Sequence, residues 1–525
     1  MRYYISIVTK IFSGVLFCVF LCSCIHKEII DTNEEKIDIG GPYWYEDVEM
    51  ISNLRYDCDE NGLIQFYWDE VEAYTNRISS VEVIIKDGNN IITEKITESI
   101  TEWKYKMPKS GEKYSFEFCP ISNENVGGRS YSCSCMYIEH IQQMKFPRIE
   151  ITTLNAELPT CQAVYPPEGA WGISITDNEY VKCNIEIYDE DNTLTYCTSS
   201  NFNDAKIRVR GNTSALNDKK PLKIKLDNEE DLLKDINLEN GTTESDNWVL
   251  LKSGFSLNHI VGSTVSELLQ MDYTPRYQYV ILTVNGDYRG IYILCESIEE
   301  KIGKCDIEDD GYIVELDSYW WNEDVYFESP LNVGRGVKYT FKFPDEIKSD
   351  SIEYNYIKEY VTNFENALIL GNEYTNYLDM GSMAKWTLAH DILCAQDSGG
   401  SNIYFTKKDS SNESLLKMGP LWDFDSIMWK TDIDSNIRGE SWFCLMYLAN
   451  KETFLTNYRE LSNNTLDLVT DTVMAEINNI DYDIYSDLLV YEEVRYNIDY
   501  TGIIEKNNAI ELYLNERIDF LKGRY

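Results

Sequence analysis

The chain has 525 residues and is strongly acidic, with 89 Asp and Glu against 47 Lys and Arg and a formal net charge of −42. This balance argues against a nucleic-acid partner, because phosphate contacts require clustered Lys and Arg. It does not indicate disorder, since 43% of the residues are hydrophobic. The length exceeds what one hydrophobic core holds, so two or three domains are expected.

The first 23 residues have the organisation of a bacterial lipoprotein signal peptide. Two basic residues are followed by an apolar run over residues 11–21 and by the lipobox Leu21-Cys22-Ser23-Cys24. The run is too short to cross a bilayer as an ordinary transmembrane helix. We expect cleavage before Cys24 and lipidation of its thiol, which anchors the chain outside the cytoplasm at the outer membrane or cell surface. An uncleaved signal anchor and a soluble secreted protein are the alternatives.

Residues 24–46 are polar and acidic and predict a tether, whereas residues 47–142 have a β pattern. Short segments of alternating polarity, such as Leu63–Trp68 and Tyr114–Pro120, recur about every ten residues between turn signals. This spacing is typical of an all-β sandwich. The early Trp68 and the late tyrosine-led strand resemble a fibronectin type III module, which implies only a spacer or a binding module.

Residues 146–525 are predicted to form a second region, strand-rich to about residue 345 and mainly helical after it. A helix is expected over Leu257–Met271, and a strand-like stretch over Asn402–Asp425. The fold class is therefore α+β. Asn285-Gly286 predicts a hairpin turn, and the predicted strands are Arg148–Thr153, Trp171–Ile175, Lys182–Tyr188, Lys206–Arg210, Tyr277–Val284 and Tyr288–Cys295.

Several common catalytic motifs are absent from the sequence. Four histidines give neither HExxH nor a multi-histidine metal site, and no G-x-S-x-G nucleophile elbow occurs. A Walker P-loop and a G-x-G-x-x-G fingerprint are also missing. The chemistry must therefore come from charged residues on apolar elements.

Two lysines share one face of a predicted strand. In Leu222–Leu226 the apolar side chains alternate with Lys223 and Lys225. Many enzymes meet phosphate oxygens with a lysine fixed on a rigid strand, and the neighbouring Arg210-Gly211-Asn212 turn could bring backbone amides to an anion. A half-exposed strand with solvated lysines is the alternative.

Asp397 and Asn402 lie five positions apart across a glycine-containing loop that follows a predicted helix. In such a loop the aspartate can accept a hydroxyl proton as catalytic base, while the asparagine amide oxygen ligates a divalent cation. An ordinary helix-ending loop is the alternative.

Asp423 and Asp425 flank Phe424 in the segment Gly419–Asp425. An extended conformation puts both carboxylates on one face, where their repulsion is relieved by a cation. Mg²⁺ prefers such oxygen ligands and keeps water or phosphate at its other positions. An acidic turn without a metal is the alternative.

These elements follow one another in the order found in protein-kinase-like phosphotransferases. A lysine strand comes first, then a helix bearing Glu267, a hairpin ending at Glu296, the loop of Asp397 and Asn402, and the aspartate motif. The order predicts a phosphotransferase more specifically than any single motif does.

From about Pro147 to the C-terminus the sequence resembles CotH, the family of spore-coat kinase-like proteins. The resemblance implies a divergent protein-kinase-like fold that uses ATP and a divalent metal, Mg²⁺ or Mn²⁺. It rests on Arg208–Ser214, Lys219–Asp227, Trp248–Leu251, Ser256–Asn258, Val284–Gly290 with Tyr292 and Glu296, Asp397 with Asn402, and Pro420–Asp425.

The resemblance also implies roles for individual residues. Lys225 or Lys223 would meet the nucleotide phosphates, and Glu267 would hold that lysine. Asp397 would be the catalytic base. Further cofactor-binding candidates are Arg210 and Glu296, and the metal-site candidates are Asn402 and Asp425 as ligands with Asp423 as a supporting carboxylate.

The sequence thus predicts an exported lipoprotein with an atypical kinase domain that transfers the ATP γ-phosphoryl to a hydroxyl of an envelope or surface protein. A non-catalytic adhesion or assembly protein on the same scaffold is the alternative. It is favoured by aromatic clusters such as Tyr319-Trp320-Trp321, which could bind protein or glycan if exposed and would otherwise be buried core. Glycoside hydrolysis by paired carboxylates is a third hypothesis.

Overall fold

The structure is a computed structural model. Cys24, the predicted tether and Asp397 lie outside the residues that it describes. The described residues are 49–71, 78–88, 90–97, 100–234, 243–252, 257–371, 374–395, 402–428, 451–480 and 482–524.

The N-terminal part is an antiparallel sandwich of seven strands in two sheets, ordered β1-β2-β5 and β4-β3-β6-β7. Alternate side chains of both sheets, including Phe66, Trp68 and Phe118, pack into one buried cluster. The predicted strands within 47–142 are therefore confirmed. The strands are β1 (Ile51–Cys58), β2 (Leu63–Glu70), β3 (Ile78–Asp87), β4 (Asn90–Ile96), β5 (Glu102–Lys106), β6 (Tyr114–Ser122) and β7 (Tyr131–Cys135).

The sheet that follows the sandwich begins at Arg148 and closes on itself. Its order is β12-β11-β13-β14-β15-β17-β16-β8, and β8 pairs with both β16 and β11. Seven strands thus form a barrel filled by aliphatic side chains and Trp248. The strands are β8 (Arg148–Thr153), β11 (Val181–Tyr188), β12 (Leu194–Cys197), β13 (Ala205–Val209), β14 (Leu222–Glu230), β15 (Ser245–Lys252), β16 (Tyr277–Val284) and β17 (Asp287–Glu296), and a separate hairpin pairs β9 (Gln162–Val164) with β10 (Ser174–Thr176).

The turn between β16 and β17 is the predicted one. Asn285 and Gly286 both have left-handed φ values, 52° and 73°. Two such residues match the twist of a two-residue hairpin, and asparagine followed by glycine adopts them at low cost. The hairpin prediction is confirmed. The strand predicted over Trp171–Ile175 is shorter than expected and begins only at Ser174.

A five-stranded sheet, which we call the third sheet because it follows the sandwich and the barrel, and the helices make up the remainder of the described chain. The sheet is ordered β19-β20-β18-β21-β22. The stretch predicted as strand-like over Asn402–Asp425 holds two short strands joined by a loop. The strands are β18 (Tyr312–Asp317), β19 (Tyr326–Phe327), β20 (Lys338–Phe343), β21 (Ile403–Lys407) and β22 (Lys417–Met418).

Helices dominate after residue 351, as predicted. Helix α2 begins at Ser351, whose side chain accepts a hydrogen bond from Tyr354 N, and ends at Gly371 in the left-handed region. No helix in the described ranges is long and apolar enough to cross a membrane. The helices are α1 (Asn258–Leu268), α2 (Ile352–Leu370), α3 (Met380–Leu393), α4 (Lys451–Asn478), α5 (Tyr482–Tyr496), α6 (Tyr500–Asn508) and α7 (Ile510–Arg524).

The sandwich is joined to the barrel and to helix α5 through one buried carboxylate. Asp287, at the start of β17, is fully buried and accepts hydrogen bonds from Tyr56 Oη at 2.8 Å and from Met136 N at 2.9 Å. It also pairs with Arg495 at 2.8 Å and Arg289 at 3.0 Å. Three hydrogen-bond donors and the Arg289 ion pair surround the carboxylate, so it links the sandwich, the hairpin and the C-terminal helices.

Candidate functional site

Strand β14 presents the predicted lysines on one face. Leu222, Ile224 and Leu226 are buried in the barrel, while Lys223 and Lys225 are half-buried on the other side. The shared face predicted from the alternation is confirmed. The two lysines nevertheless have different neighbours.

Lys225 is engaged by the adjacent strand. Its Nζ forms an ion pair with Asp246, which precedes the residue opposite Lys225 in the β14–β15 register. Lys223 has different neighbours, because its cross-strand partner on β13 is Arg208. Burial lowers the pKa of Lys223, and the positive charges of Arg208, Lys225 and Arg210 lower it further. Lys223 therefore lies in a region of positive potential that favours an anion.

Arg210 connects this basic face to the third sheet. Burial lowers its pKa, and the nearby Tyr404, Asp423 and Glu315 oppose the shift. Glu315 on β18 and Tyr404 on β21 are cross-strand partners. The barrel and the third sheet therefore meet at Arg210, and we call the residues around this meeting point the junction site: Arg208, Arg210, Lys223, Glu315, Asp317, Asn402 and Asp423.

Two predicted metal-site residues come together at the junction. Asn402 Nδ2 donates a hydrogen bond to Asp423 Oδ2 at 3.2 Å, although the two residues are 21 positions apart. Both have left-handed φ values, 58° and 62°. Asn and Asp tolerate this region better than other residues, and such conformations cluster at functional sites. The arrangement directs an amide and a carboxylate to one point.

Asp317 is a junction residue that the sequence interpretation missed. It ends β18, next to Leu316, whose partner Ile403 directly follows Asn402. Burial raises the pKa of Asp317 to about 7, the nearby Glu315 raises it further, and Lys342 opposes both effects. The alternation of Glu315 and Asp317 with apolar residues in one strand was the available signal. Arg208 was missed as a site residue as well, although it lies in the alternating strand β13, two positions before Arg210.

Asp425 points to a different neighbourhood from Asp423. Phe424 is buried between the two exposed aspartates. The extended conformation predicted to put both carboxylates on one face is wrong, because Asp423 has a left-handed φ of 62° that turns the backbone between them. Asp425 is close enough to Lys219 to affect its pKa. Burial lowers the pKa of Lys219, and the negative charges of Glu492 and, to a smaller extent, Asp425 oppose that shift. The Lys219 Nζ lies 2.9 Å from Glu492 Oε1. Asp423 is the aspartate that accepts the Asn402 hydrogen bond described above.

The predicted roles of Glu267 and Glu296 are not supported by their positions. Glu267 is exposed on α1 and makes no ion pair with the β14 lysines within the described structure. Its carboxyl group lines a cavity of about 650 Å³ together with Glu476, and partial desolvation there and the charge of Glu476 raise its pKa. The opposite side of α1 packs in the core, and this placement explains why Glu267 does not hold a β14 lysine as predicted.

Glu296 is buried and already bound within the protein. Its carboxylate accepts hydrogen bonds from Tyr273 Oη at 3.2 Å and from Arg276 N, Nε and Nη2 at 2.9, 3.0 and 2.9 Å. Arg276 also pairs with Asp231 at 3.1 Å. These contacts use the oxygens of Glu296, so the residue acts as a structural acceptor where a cofactor contact was predicted.

The junction site fits a nucleotide and its divalent cation by the chemistry of its donors. Three cationic side chains, Arg208, Arg210 and Lys223, suit phosphate oxygens. The amide oxygen of Asn402 and the Asp423 carboxylate are hard oxygen ligands that leave further positions to water or phosphate. No cluster of three or more His, Cys, Asp or Glu suited to a metal occurs in the described ranges. The base role of Asp397 stays a prediction.

The succession of basic strand, helix, hairpin and amide–carboxylate junction is the order expected of a kinase-like domain with mixed helices and sheets. The family described as CotH kinase protein matches residues 207–521. Because the match covers more than half of the chain, this protein belongs to the CotH kinase family. The resemblance stated from the sequence is thereby confirmed.

Two other comparisons add little. A crystal structure of the Helicobacter pylori proinflammatory kinase CtkA is similar at 11% sequence identity and a TM-score of 0.24, over 54% of this chain and 94% of that one. At this level the similarity carries no argument about function. A search of the curated proteins finds no match.

Proposed function

We propose that this protein is an atypical kinase that transfers the γ-phosphoryl group of ATP, with Mg²⁺ or Mn²⁺, to a hydroxyl group of an envelope or surface protein. The observation that carries the proposal is the junction itself. Arg210 is close both to the basic face of Lys223 and Arg208 and to Asp423, which is hydrogen-bonded to Asn402. A cationic surface beside a hard-oxygen pair is the arrangement that phosphoryl transfer needs.

Each group of residues has a separate task in this proposal. Lys223, Arg208 and Arg210 bind and orient phosphate oxygens, and burial strengthens these contacts by excluding water. Asn402 and Asp423 hold the cation, which when bound neutralises the charge that develops on the transferred group. Asp397 accepts the proton of the attacking hydroxyl, a role that rests on sequence alone.

The finer features of the N-terminal part belong to the same proposal. The strand order β1-β2-β5 over β4-β3-β6-β7 supports a fibronectin type III-like module. The lipobox supports cleavage before Cys24, with the lipid anchoring the protein outside the cytoplasm at the outer membrane or cell surface. The boundaries proposed from the sequence are 1–23 for the signal, 24–46 for the tether, 47–142 for the sandwich and 146–525 for the kinase domain.

Phosphotransfer by the purified chain lacking residues 1–23 tests the proposal. We expect incorporation from labelled ATP into the protein or an added envelope extract with Mg²⁺ or Mn²⁺, and its loss on chelation and in Asp423→Asn. Thermal stabilisation by ATP should require the metal. Absence of both incorporation and metal-dependent ATP stabilisation would contradict the proposal. Stabilisation without incorporation would favour the non-catalytic surface protein.

A further inference from the structure

A cleft of about 650 Å³ lies along one face of helix α1, and its walls include the first residues of β16 and the C-terminal end of α4. A volume of this size is within the range of about 300–1,000 Å³ that holds a small organic ligand. None of the junction residues lines the cleft, so it is a separate feature of the protein. We call it the α1 cleft.

Helix α1 contributes two buried hydroxyl groups to the cleft. Its lining residues recur at spacings of three or four, which puts them on one side of the helix: Ile260, Ser263, Thr264 and Glu267. Ser263 and Thr264 are each 3% exposed, and within the described part of the chain neither hydroxyl has a hydrogen-bond partner. Buried polar side chains in proteins are hydrogen-bonded in the large majority of cases. The two hydroxyls therefore offer polar contacts to a molecule in the cleft.

The rim of the cleft carries two carboxylates that face each other from different helices. Glu267 on α1 and Glu476 on α4 are both exposed. Desolvation raises the pKa of Glu267, and the negative charge of Glu476 raises it further. Asn479 Nδ2 donates a hydrogen bond to Glu476 Oε2 at 3.3 Å, but within the described structure neither carboxylate pairs with a Lys or Arg. A cation between the two carboxylates would relieve their repulsion.

The other charged residues of the cleft do not offset this negative charge. Arg276 lines the cleft, but its guanidinium is already paired with Glu296 at 2.9 Å and with Asp231 at 3.1 Å. Lys145 and Glu190 add one positive and one negative charge to the lining. The charge of Glu267 and Glu476 is therefore left uncompensated, and it favours a cationic ligand.

Helix α1 also connects the cleft with the aspartate motif of the junction site. On a different face of the helix, Phe424 packs against Gly262, where a Cβ atom would lie 2.1 Å from the ring. His259 meets Phe424 edge to face at 5.4 Å between ring centres, and it meets Tyr277, which lines the cleft, at 4.4 Å. Phe424 directly follows Asp423. A ligand that shifts α1 or Tyr277 would therefore also shift the carboxylate assigned to the cation.

We propose that the α1 cleft binds a small hydroxylated ammonium compound, of which an amino sugar is an example, and that its occupancy is coupled to ATP binding at the junction site. The ammonium group lies between Glu267 and Glu476. Hydroxyl groups of the ligand bond to Ser263 and Thr264, and Tyr277 supplies an aromatic wall for its carbon skeleton. Binding in the cleft is independent of the proposed phosphotransfer, and only the coupling rests on the proposed function.

Titration with glucosamine, without ATP or metal and at a pH where its amine is protonated, tests binding in the cleft. N-acetylglucosamine is the matched probe, because it keeps the ring and loses the positive charge. We expect glucosamine alone to bind, and Glu267→Gln combined with Glu476→Gln to weaken it about tenfold, which corresponds to about 1.4 kcal/mol. Glu511→Gln combined with Glu516→Gln removes two exposed carboxylates from α7 and should bind as the parent does.

A second variant separates a ligand contact from a structural role. Ser263→Ala combined with Thr264→Val should weaken glucosamine binding several-fold without lowering the denaturant midpoint, because the hydroxyls removed have no partner in the described protein. No binding by the parent, equal binding of N-acetylglucosamine, or unchanged affinity in both cleft variants would overturn the binding proposal.

The coupling is tested by measuring the affinity for ATP and Mg²⁺ with and without saturating glucosamine. We expect at least a threefold change in the parent, and none in Glu267→Gln combined with Glu476→Gln. An ATP affinity that is the same with and without glucosamine would overturn the coupling. Absence of ATP binding beside normal glucosamine binding would contradict the proposed function, and the assignment of the cleft would stand.

Discussion

Replacing Lys223 and Lys225 separately distinguishes the junction lysine from its neighbour. Lys223→Met removes a half-buried charge surrounded by Arg208, Arg210 and Lys225. We expect the free energy of unfolding without ligand to stay the same or to rise slightly, because a repelled charge is lost. Lys225→Met should instead lose a partly exposed pair with Asp246, worth about 0–1 kcal/mol.

Nucleotide binding should be affected by Lys223→Met, the variant expected to lose no stability in the absence of ligand. A charge-assisted hydrogen bond to phosphate contributes about 1.5–3 kcal/mol, so Lys223→Met should weaken ATP binding about 10- to 100-fold. At ATP equal to 100 times the parent dissociation constant, the parent gains about 2.7 kcal/mol of stability. A variant weakened 100-fold gains only about 0.4 kcal/mol by the same relation.

The assay is denaturant unfolding of the three proteins, each with and without ATP and Mg²⁺. The expected pattern is loss of the ATP-dependent gain in Lys223→Met and its retention in Lys225→Met. If Lys223→Met keeps the full gain, or Lys225→Met alone loses it, the assignment based on strand neighbours is refuted.

Three further predictions follow from buried or paired carboxylates. Asp423→Asn should abolish the metal dependence of ATP stabilisation while Asp425→Asn reduces it less, because Asp423 accepts a hydrogen bond from Asn402 and lies near Arg210. Equal loss in both variants would contradict this. Asp317→Asn should flatten the pH dependence of stability. Because the folded pKa of about 7 exceeds the ordinary 3.8, the free energy of unfolding of the parent falls by up to about 4 kcal/mol as the pH rises from 4 to 7. Urea unfolding across that range should show a weaker dependence of this free energy on pH in the variant. Asp287→Asn should destabilise by about 3–5 kcal/mol, since two buried guanidinium groups lose their counter-charge, whereas the exposed control Asp69→Asn should cost less than about 1 kcal/mol; similar unfolding midpoints for both would refute this.

Local patterns were sufficient to predict most of the strands and one face of the site. The Asn285-Gly286 turn forms the predicted hairpin because its conformational preference is local. Strand β8 has the predicted bounds, and the alternation in β14 places both lysines on one face. The contact of Asn402 with Asp423 also joins two motifs that the sequence had associated only by their order.

Contacts between distant segments could not be predicted in the same way. The choice between Lys223 and Lys225 depends on Asp246, which lies on a neighbouring strand. Glu296 looked like a cofactor ligand until Arg276 and Tyr273 were seen to surround it. Closure of the barrel by β8 depends on one parallel and one antiparallel pairing, and neither leaves a signature in a single strand.

The shared carboxylate of Asp287 has a consequence for any attempt to dissect the protein. Cutting the chain near residue 146 would remove Tyr56 and the Met136 amide, and would expose to solvent a carboxylate and two arginines that are now enclosed. An isolated kinase fragment would thus expose these charged groups at the surface that the sandwich had covered. Poor folding of such a fragment would say nothing about catalysis. Activity is best sought in the undivided chain, in which the sandwich supplies two of the groups that bind this carboxylate.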